Sequence, residues 1–395
     1  MNVCGIVAEY NPFHNGHRRH IERTRARLGA GCAVVCVMSG NFVQRGAPAA
    51  YPKHARAEAA LRCGVDLVLE LPLPWALSSA ERFAAGAASL LDAAGVVTHL
   101  SFGSESGSLA PLIAAAEILL RPELDVFLRA ELATGIPYAA ARQRAAEKIY
   151  GAPLPALERP NDILGIEYLK ALRRFRSAIE PLTVPRAGAG HDAAAPADGC
   201  TASASWLRSR MAAGEDVGAY LPPEAAKAFA RERMVNGAAL ETALLSRLRA
   251  LPLQSFAALP DAAEGIENRL YRAARSGASL DDILAMAKTK RFAMSRLRRM
   301  LWGAALGLRR EDVAGSPPYL RVLGADAAGR ALLARMRTCA ALPVLTKPAA
   351  ARSLDALSRR VFALEAGAAD FYALGYENPS ERRGGAEWRR GPVML

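Results

Sequence analysis

The sequence predicts an α/β fold: a parallel sheet with helices on both faces, followed by a mainly helical C-terminal region. Three observations carry this. Short, almost wholly apolar runs alternate with helical patterns over the first hundred residues. The loops after those runs are rich in Gly, Pro, Asn and Ser, and from about residue 213 the apolar spacing is helical. Apolar runs that do not alternate with polar residues mark strands buried on both faces, which is the habit of parallel sheets.

Taken in order, the strands fall at Val3–Ala8, Ala33–Met38, Leu67–Leu71 and Thr98–Phe102, with helices at Gly16–Leu28, Lys53–Cys63 and Ser78–Ala94 between them. Helical, Ala-rich chain follows from Pro111 to Tyr150. The stretch "ERPNDILGIEYLKALRRF" opens another helix, with Asn161 or Asp162 as N-cap. "PLTVPR" reads as a fifth strand and "AGAGHDAAAPADGCTASA" as a flexible loop before the helix of "SWLRSRM". A boundary near Ala213 then divides residues 1–212 from a C-terminal domain, 213–395, broken only at Leu221–Pro223, Ser316–Pro318 and Leu342–Pro343. The terminal "SERRGGAEWRRGPVML" reads as loosely ordered.

Composition sets the outer limits. A chain of 395 residues, 51% hydrophobic and 23% charged, can bury a sizeable core. The six cysteines (Cys4, Cys32, Cys36, Cys63, Cys200, Cys339) form no Cys-x-x-Cys pair and read as buried, reduced thiols rather than a zinc site. "MNVCGIVAEYNPF" lacks the basic start of a signal peptide, and no apolar run is long enough to span a bilayer, so the expected location is the cytoplasm. A net charge of +13 favours a polyanionic partner. Much of that charge is Arg in an Ala-rich chain, a bias that genomic base composition also produces.

Parallel sheets bind ligands beyond the carboxyl ends of their strands, so the loops "EYNPFHNGH", "SGNFVQRG", "ELPLPW" and "FGSESG" are the ones to read for chemistry. The first carries His14 and His17 around Gly16 at the mouth of a helix. Unpaired amides and the helix dipole there suit an anion, and Gly16 lets a ligand approach the backbone. Two imidazoles can donate to a phosphoryl oxygen that gains charge under nucleophilic attack, which is the chemistry of nucleotidyl transfer or of acid activation as an acyl adenylate. His14, His17 and His20 could instead bind a metal, but no ligating carboxylate is close in sequence, and no metal site is expected. Packing histidines remain a third reading. In "TASASWLRSRM" a Ser or Thr can cap the helix, and Arg208 one turn in can hold phosphates.

The segments "GIVAEYNPFHNGH", "SGNFVQRGAPA", "GVDLVLELP", "FGSESG", "NDILGIEYLKAL", "IENRLYRAA", "TKRFAMSRLRRML" and "PPYLRVLG" occur in this order and span almost the whole chain. Together they resemble the bacterial tRNA(Met) cytidine acetate ligase family. That resemblance implies a Rossmann-like nucleotidyltransferase N-terminal domain. It implies an ATP-dependent enzyme that makes acetyl-adenylate and acetylates N4 of the wobble cytidine of elongator tRNA(Met), with Mg²⁺ carried by ATP. It implies an ATP-contacting segment of Val7, Ala8, Glu9, Tyr10, Asn11, Pro12, Phe13, His14, Asn15, Gly16, His17, Arg18, Arg19 and His20, with further contacts at Gly103, Asn161 and Arg186. His14 and His17 are the implied catalytic pair, and Arg45, Lys53 and Arg56 are weaker candidates for phosphate or tRNA. The chain departs from the family at "RAGAGHDA", which lacks an aromatic before His191, and at Ser205 and Trp206.

For RNA, Met286–Arg310 holds eight basic residues and no acidic one. Lys288, Lys290, Arg291, Arg296, Arg298 and Arg299 are the candidates for tRNA contact, with Arg309 and Arg310 behind them. Arg18, Arg19, Arg23, Arg25 and Arg27 extend the basic character beside the histidines. Two other functions stay open: an adenylyltransferase acting on a small phosphorylated cofactor precursor, and a non-catalytic RNA-binding protein.

Overall fold

The computed structural model describes residues 1–186 and 200–395. Strands β1 (Val3–Ala8), β2 (Ala33–Ser39), β3 (Leu67–Leu71), β4 (His99–Ser104) and β5 (Glu180–Pro185) pair in parallel in the order 3-2-1-4-5. The chain moves outward from β1 to β3 on one side, then returns to lay β4 and β5 on the other. The crevice between the carboxyl ends of β1 and β4 is therefore the point where strand order reverses, the place such sheets hold ligands. All residues of β2 and β3 are buried, which matches sequences that are apolar except for Ser39 and Glu70.

Helices α1 (Asn15–Leu28), α2 (Lys53–Arg62), α3 (Ala80–Ala93) and α4 (Pro160–Phe175) connect these strands. Helices at Leu109–Leu119, Leu124–Ala133 and Tyr138–Tyr150 fill the long connection between β4 and α4. On one face, Leu67, Leu69, Phe83, Leu91, Leu100 and Ile166 share a core; on the other, Ile6, Ile21, Val34, Met38 and Leu61 do. A third core lies among the C-terminal helices around Leu244, Leu270, Leu297 and Trp302.

The C-terminal half is not helical throughout. Strand β6 (Leu320–Ala325) runs antiparallel to β3, with β7 (Val344–Leu345) and β8 (Val393–Met394) parallel to β6. "YLRVLGA" is a buried strand whose six residues from Leu320 are all inaccessible, and a run this short is ambiguous between strand and helix by spacing alone. The Ser316–Pro318 and Leu342–Pro343 breaks precede β6 and β7, so they mark strand entries rather than gaps between helices.

Nor is the terminus loose. β8 ends the sheet, Trp388 packs on Phe362 with ring centroids 4.5 Å apart, and Glu387 is 2% exposed. Lys53 Nζ donates to Glu387 (2.7 Å) and to Glu70 (2.5 Å), while Arg321 Nη2 reaches Glu387 at 2.8 Å. Glu365 completes the cluster, its Oε2 accepting the Leu73 amide at 2.7 Å. Burial, then the Glu70 charge beside it, push the Glu365 carboxyl well above its ordinary range. Two cations, Lys53 and Arg321, face three carboxyl groups, of which burial makes Glu365 the least ready to carry charge. Lys53 is thus a structural cation, not a phosphate ligand. Arg56 is also fully buried, donating to the carbonyls of Tyr51, Glu9 and Gly40. Cys4, Cys32, Cys36 and Cys63 are buried free thiols as expected, but Cys200 and Cys339 are exposed.

Removing one member of a buried ionic cluster strands the others. Glu387→Ala is expected to cost about 3–5 kcal/mol of unfolding free energy, and Arg389→Ala on the exposed face less than about 0.5 kcal/mol; urea unfolding followed by circular dichroism measures both.

Candidate active site

β1 ends at Ala8, and the chain turns sharply at Tyr10, whose φ of 47° lies in the left-handed region. Such a conformation is costly for an aromatic residue and persists only where the surroundings hold it. Here the Tyr10 ring is buried against Phe13 and His17, with centroids 4.7 and 4.9 Å away, and Arg56 Nη1 holds the Glu9 carbonyl at 2.5 Å. The turn delivers His14 as the N-cap of α1.

Both histidines are built into the cap. The Gly16 amide donates to His14 Nδ1 (3.1 Å), and the His14 amide donates to His17 Nδ1 (3.2 Å). Since each Nδ1 accepts a hydrogen bond from a backbone amide, each neutral ring carries its own hydrogen on Nε2, the atom left for the cavity both residues line. The rings lie 3.8 Å apart between centroids. Burial, then the positive charges of Arg186 and Arg208, hold the His14 pKa down at about 3. Burial, then His14 and Arg186, push His17 well below its usual value, and burial followed by Arg186 and Arg23 sets His20 at about 4. At neutral pH all three are uncharged, and His14 and His17 are donors through Nε2.

This geometry corrects the role of Gly16. A Cβ there would lie 2.8 Å from His14 Cε1 and 3.0 Å from Nδ1, so the glycine makes room for the imidazole that folds over it. The Gly16 amide is likewise taken by His14 rather than left for an anion.

The cavity has a volume of about 380 Å³ at the β1–β4 crevice. Of the expected contact residues, Val7, Ala8, Glu9, Tyr10, Asn11, His14, Gly16, His17, Arg19, His20, Gly103, Asn161 and Arg186 line it. Pro12, Phe13, Asn15 and Arg18 do not: Phe13 is fully buried, Asn15 Nδ2 donates to the carbonyls of Cys200 and Ala219, and Arg18 pairs with Glu22 and Glu224. Arg45 and Arg208 line the cavity, and Arg208 Nη1 also donates to the Asn11 carbonyl at 2.7 Å. Arg23 lines it too, whereas Arg25 is spent on Asp66 and Arg27 on the Thr183 carbonyl.

Neither Asn161 nor Asp162 is the N-cap of α4; that place is held by Arg159. Glu105, after β4, accepts from the Asn161 amide and Nδ2 (3.2 and 2.5 Å) and from the Asp162 amide (2.8 Å), capping the helix from outside. Asn161 Oδ1, so oriented, accepts from Arg186 Nη1 at 3.1 Å. Gly103 adjoins this arginine, for a Cβ there would lie 3.1 Å from Arg186 Cγ. Ser203 does cap its helix, α5 (Ala204–Ala212), accepting from the Trp206 amide at 3.2 Å. Trp206 has room: its ring meets Tyr220 edge-on at 5.1 Å. The segment from Ala187 to Gly199, with His191, lies outside the described residues.

Sequence reading missed the apolar wall of Phe83, Phe102, Leu164 and Tyr168, and the polar Gln44, while Thr201 of the flagged "TASASWLRSRM" lines the cavity. The first four resemble ordinary core residues of strands and helices, and only the crevice distinguishes them. Gln44 lies in "SGNFVQRG", a loop flagged by its position, within a hairpin of Phe42–Val43 with Ala47–Pro48.

The basic stretch is divided. Helix α6 (Met294–Leu306) carries Arg296, Arg298 and Arg299. Arg299 is 8% exposed, 3.8 Å from Asp261, while Arg296 donates to the Asp261 carbonyl at 2.7 Å and Lys288 to the Phe292 carbonyl at 2.6 Å. Lys290 and Arg291 are exposed in the preceding loop, and half-exposed Arg298 lies 3.4 Å from Asp281. Among the described residues no helix is long and apolar enough to cross a membrane.

The HIGH nucleotidyl transferase family matches residues 1–387, and the tRNA(Met) cytidine acetate ligase of Acetivibrio thermocellus is 36% identical over 420 residues, the full length of both chains. The chain belongs to this ligase family. The Syntrophotalea carbinolica enzyme of the same name is 42% identical across 88% of this chain and 85% of its own. The crystal structure of Thermotoga maritima TmcAL in its apo form superposes with a TM-score of 0.94 at 35% identity, covering all of both chains. The same protein bound with alpha-thio ATP superposes at 0.92, with the same identity and coverage.

The depressed imidazoles make a stability prediction. Unfolded, each histidine takes up a proton near its ordinary value of 6.5; folded, His14 and His20 wait until about 3 and about 4. Between these limits the unfolded chain binds more protons, so stability is full above pH 6.5 and is lost as pH falls toward 4. His14→Asn, which keeps an N-cap acceptor, should show a shallower loss than the wild type in urea midpoints measured at pH 8, 6 and 5.

Proposed function

We propose that this chain is an ATP-dependent acetate ligase that forms acetyl-adenylate and transfers the acetyl group to N4 of the wobble cytidine of elongator tRNA(Met). The observation that carries it is the reciprocal cap of His14 and His17, which aims two neutral N–H donors at the switch-point cavity of a chain related to such ligases over its whole length.

Acetate and cytidine N4 do not react directly, because the carboxylate is a poor electrophile and the exocyclic amine a poor nucleophile. Activation comes first. An acetate oxygen attacks the α-phosphorus of ATP, and pyrophosphate leaves. Negative charge builds on the α-phosphoryl oxygens, where the Nε2–H groups of His14 and His17 donate in a setting poor in water. Arg19, Arg45, Arg186 and Arg208 line the same cavity and balance the phosphates. Phe83, Phe102, Leu164 and Tyr168 offer the apolar wall that a purine needs.

Mg²⁺ comes with the nucleotide and screens its phosphates. The described residues include no group of three or more His, Cys, Asp or Glu side chains able to hold a metal ion. In the second step the cytosine enters unstacked and its N4 attacks the acetyl carbonyl.

Residues 1–212 serve adenylation in this reading and 213–395 serve tRNA. Lys290, Arg291 and Arg298 meet RNA phosphates, while Lys288 and Arg296 chiefly brace their own loop and Arg299 braces the contact of α6 with the hairpin at Gln44. The cytoplasm, where tRNA is modified, is the expected compartment.

Pyrophosphate exchange into ATP should depend on acetate; exchange indifferent to acetate overturns the proposal and favours a different adenylyl acceptor. His17→Ala should lower that exchange by about 10²–10³-fold. The triple substitution Lys290→Ala, Arg291→Ala, Arg298→Ala should weaken tRNA binding and flatten its dependence on salt by roughly one unit of slope per charge, with exchange intact. Filter binding at several salt concentrations measures the first, and equal loss of exchange would assign these residues to folding instead.

A further inference from the structure

Among the described residues, five arginines and three histidines line the cavity, but only one carboxylate, that of Glu9. Adenylation gives this carboxylate nothing to do. Acetate arrives already deprotonated, pyrophosphate leaves as an anion, and a further negative charge beside acetate and three phosphates opposes their binding. The acyl-transfer step is different. The cytosine amine must shed a proton as its C–N bond forms, because its lone pair is delocalised into the ring and an acylated cationic nitrogen is a poor intermediate.

The other polar groups of the cavity are poor acceptors for that proton. His14 and His17 have Nδ1 committed to main-chain amides and hydrogen on Nε2, so they donate. His20 Nε2 lies 2.9 Å from Ser101 Oγ, which also meets Thr24 Oγ1 at 2.8 Å. Its depressed basicity, set by burial and then by Arg186, makes it a weak acceptor besides. Ser203 Oγ accepts from a helix amide.

Glu9 is also held in a way that suits a catalytic group. It follows the last residue of β1, five residues before His14, so both project from the same turn. Its Oε1 accepts the Gln44 amide at 3.0 Å, its carbonyl is held by buried Arg56, and the strained Tyr10 follows it. Oε2 has no hydrogen-bond partner among the described residues, and Glu9 lines the cavity. The electrostatic neighbours of this side chain include buried Arg56, and Arg208 and Tyr168 on the cavity wall.

We propose that Glu9 is the general base of acyl transfer. The inference rests on the ligase reading above. The N4 nitrogen attacks the acetyl carbonyl carbon of acetyl-adenylate, and one N4 proton passes to a Glu9 carboxylate oxygen. The bond from that carbon to the phosphate oxygen breaks, and AMP leaves with the electron pair. Glu9 then releases its proton to solvent, so that acetyl-adenylate and cytidine give N4-acetylcytidine, AMP and one proton.

Glu9→Gln tests this, because the amide oxygen of Gln can still accept the Gln44 amide while losing the ability to take a proton. Two rates are compared with wild type: acetate-dependent pyrophosphate exchange, and single-turnover transfer from chemically prepared acetyl-adenylate to a tRNA(Met) transcript. Transfer is expected to fall about 10²–10⁴-fold further than exchange, whose remaining rate also reports that the cavity has folded. Transfer at the wild-type rate overturns the proposal. Exchange falling as far as transfer overturns it too, assigning the carboxylate to the nucleotide or its metal. If the wild-type protein cannot use acetyl-adenylate at all, the ligase reading fails, and that result is visible before any variant is made.

Discussion

The reciprocal hydrogen bonding of His14 and His17 with the first turn of α1 is the constraint on which the site depends. An imidazole whose Nδ1 accepts from the backbone is fixed in rotamer and tautomer together, and burial then makes the charged form unfavourable. One arrangement thus caps a helix, orients two rings 3.8 Å apart and sets what they can do chemically. The glycine between them is demanded by the same geometry, since any side chain at Gly16 would displace the His14 ring.

Charge is distributed with equal economy around this point. The cavity is cationic, as binding of a nucleotide requires, and its arginines are braced from outside by Asn161, Glu105 and main-chain carbonyls. Lys53, Arg321, Glu70, Glu365 and Glu387 form a buried ionic cluster that joins α2, the sheet and the C-terminal tail. Such a cluster adds little over an apolar core of the same shape, but it is unforgiving of a missing partner. The C-terminal half is thereby tied to the sheet that carries the site. Helix α6 makes a second tie: Gly46, in the hairpin beside Gln44, leaves room for the backbone of Arg298 and Arg299, 2.5–2.7 Å from where its Cβ would lie.

Much of the fold was legible because the first three parallel strands are almost wholly apolar and the helices between them periodic. β1 was read at its observed bounds, β2 and β3 within a residue, and the ligand crevice followed from strand position alone. β6 and β8 were not legible. Each is short, and pairing with β3 or β6 across more than sixty residues of chain leaves no local trace. The burial of Lys53 and Arg56 was hidden for a similar reason: their partners Glu387, Glu9 and Gly40 come from other segments, and an isolated basic residue in sequence looks like a surface charge.

By itself the sequence determined the chemistry on offer: two histidines after the first strand, a family pattern running the length of the chain, and an excess of positive charge. Only the tertiary structure decided which nitrogen of each histidine faces the cavity, which arginines line it, and that Glu9 is the one carboxylate there among the described residues. The reason is that tautomer, charge pairing and isolation are properties of neighbours in space, and those neighbours are gathered from β1, β4, α4 and α5, far apart along the chain.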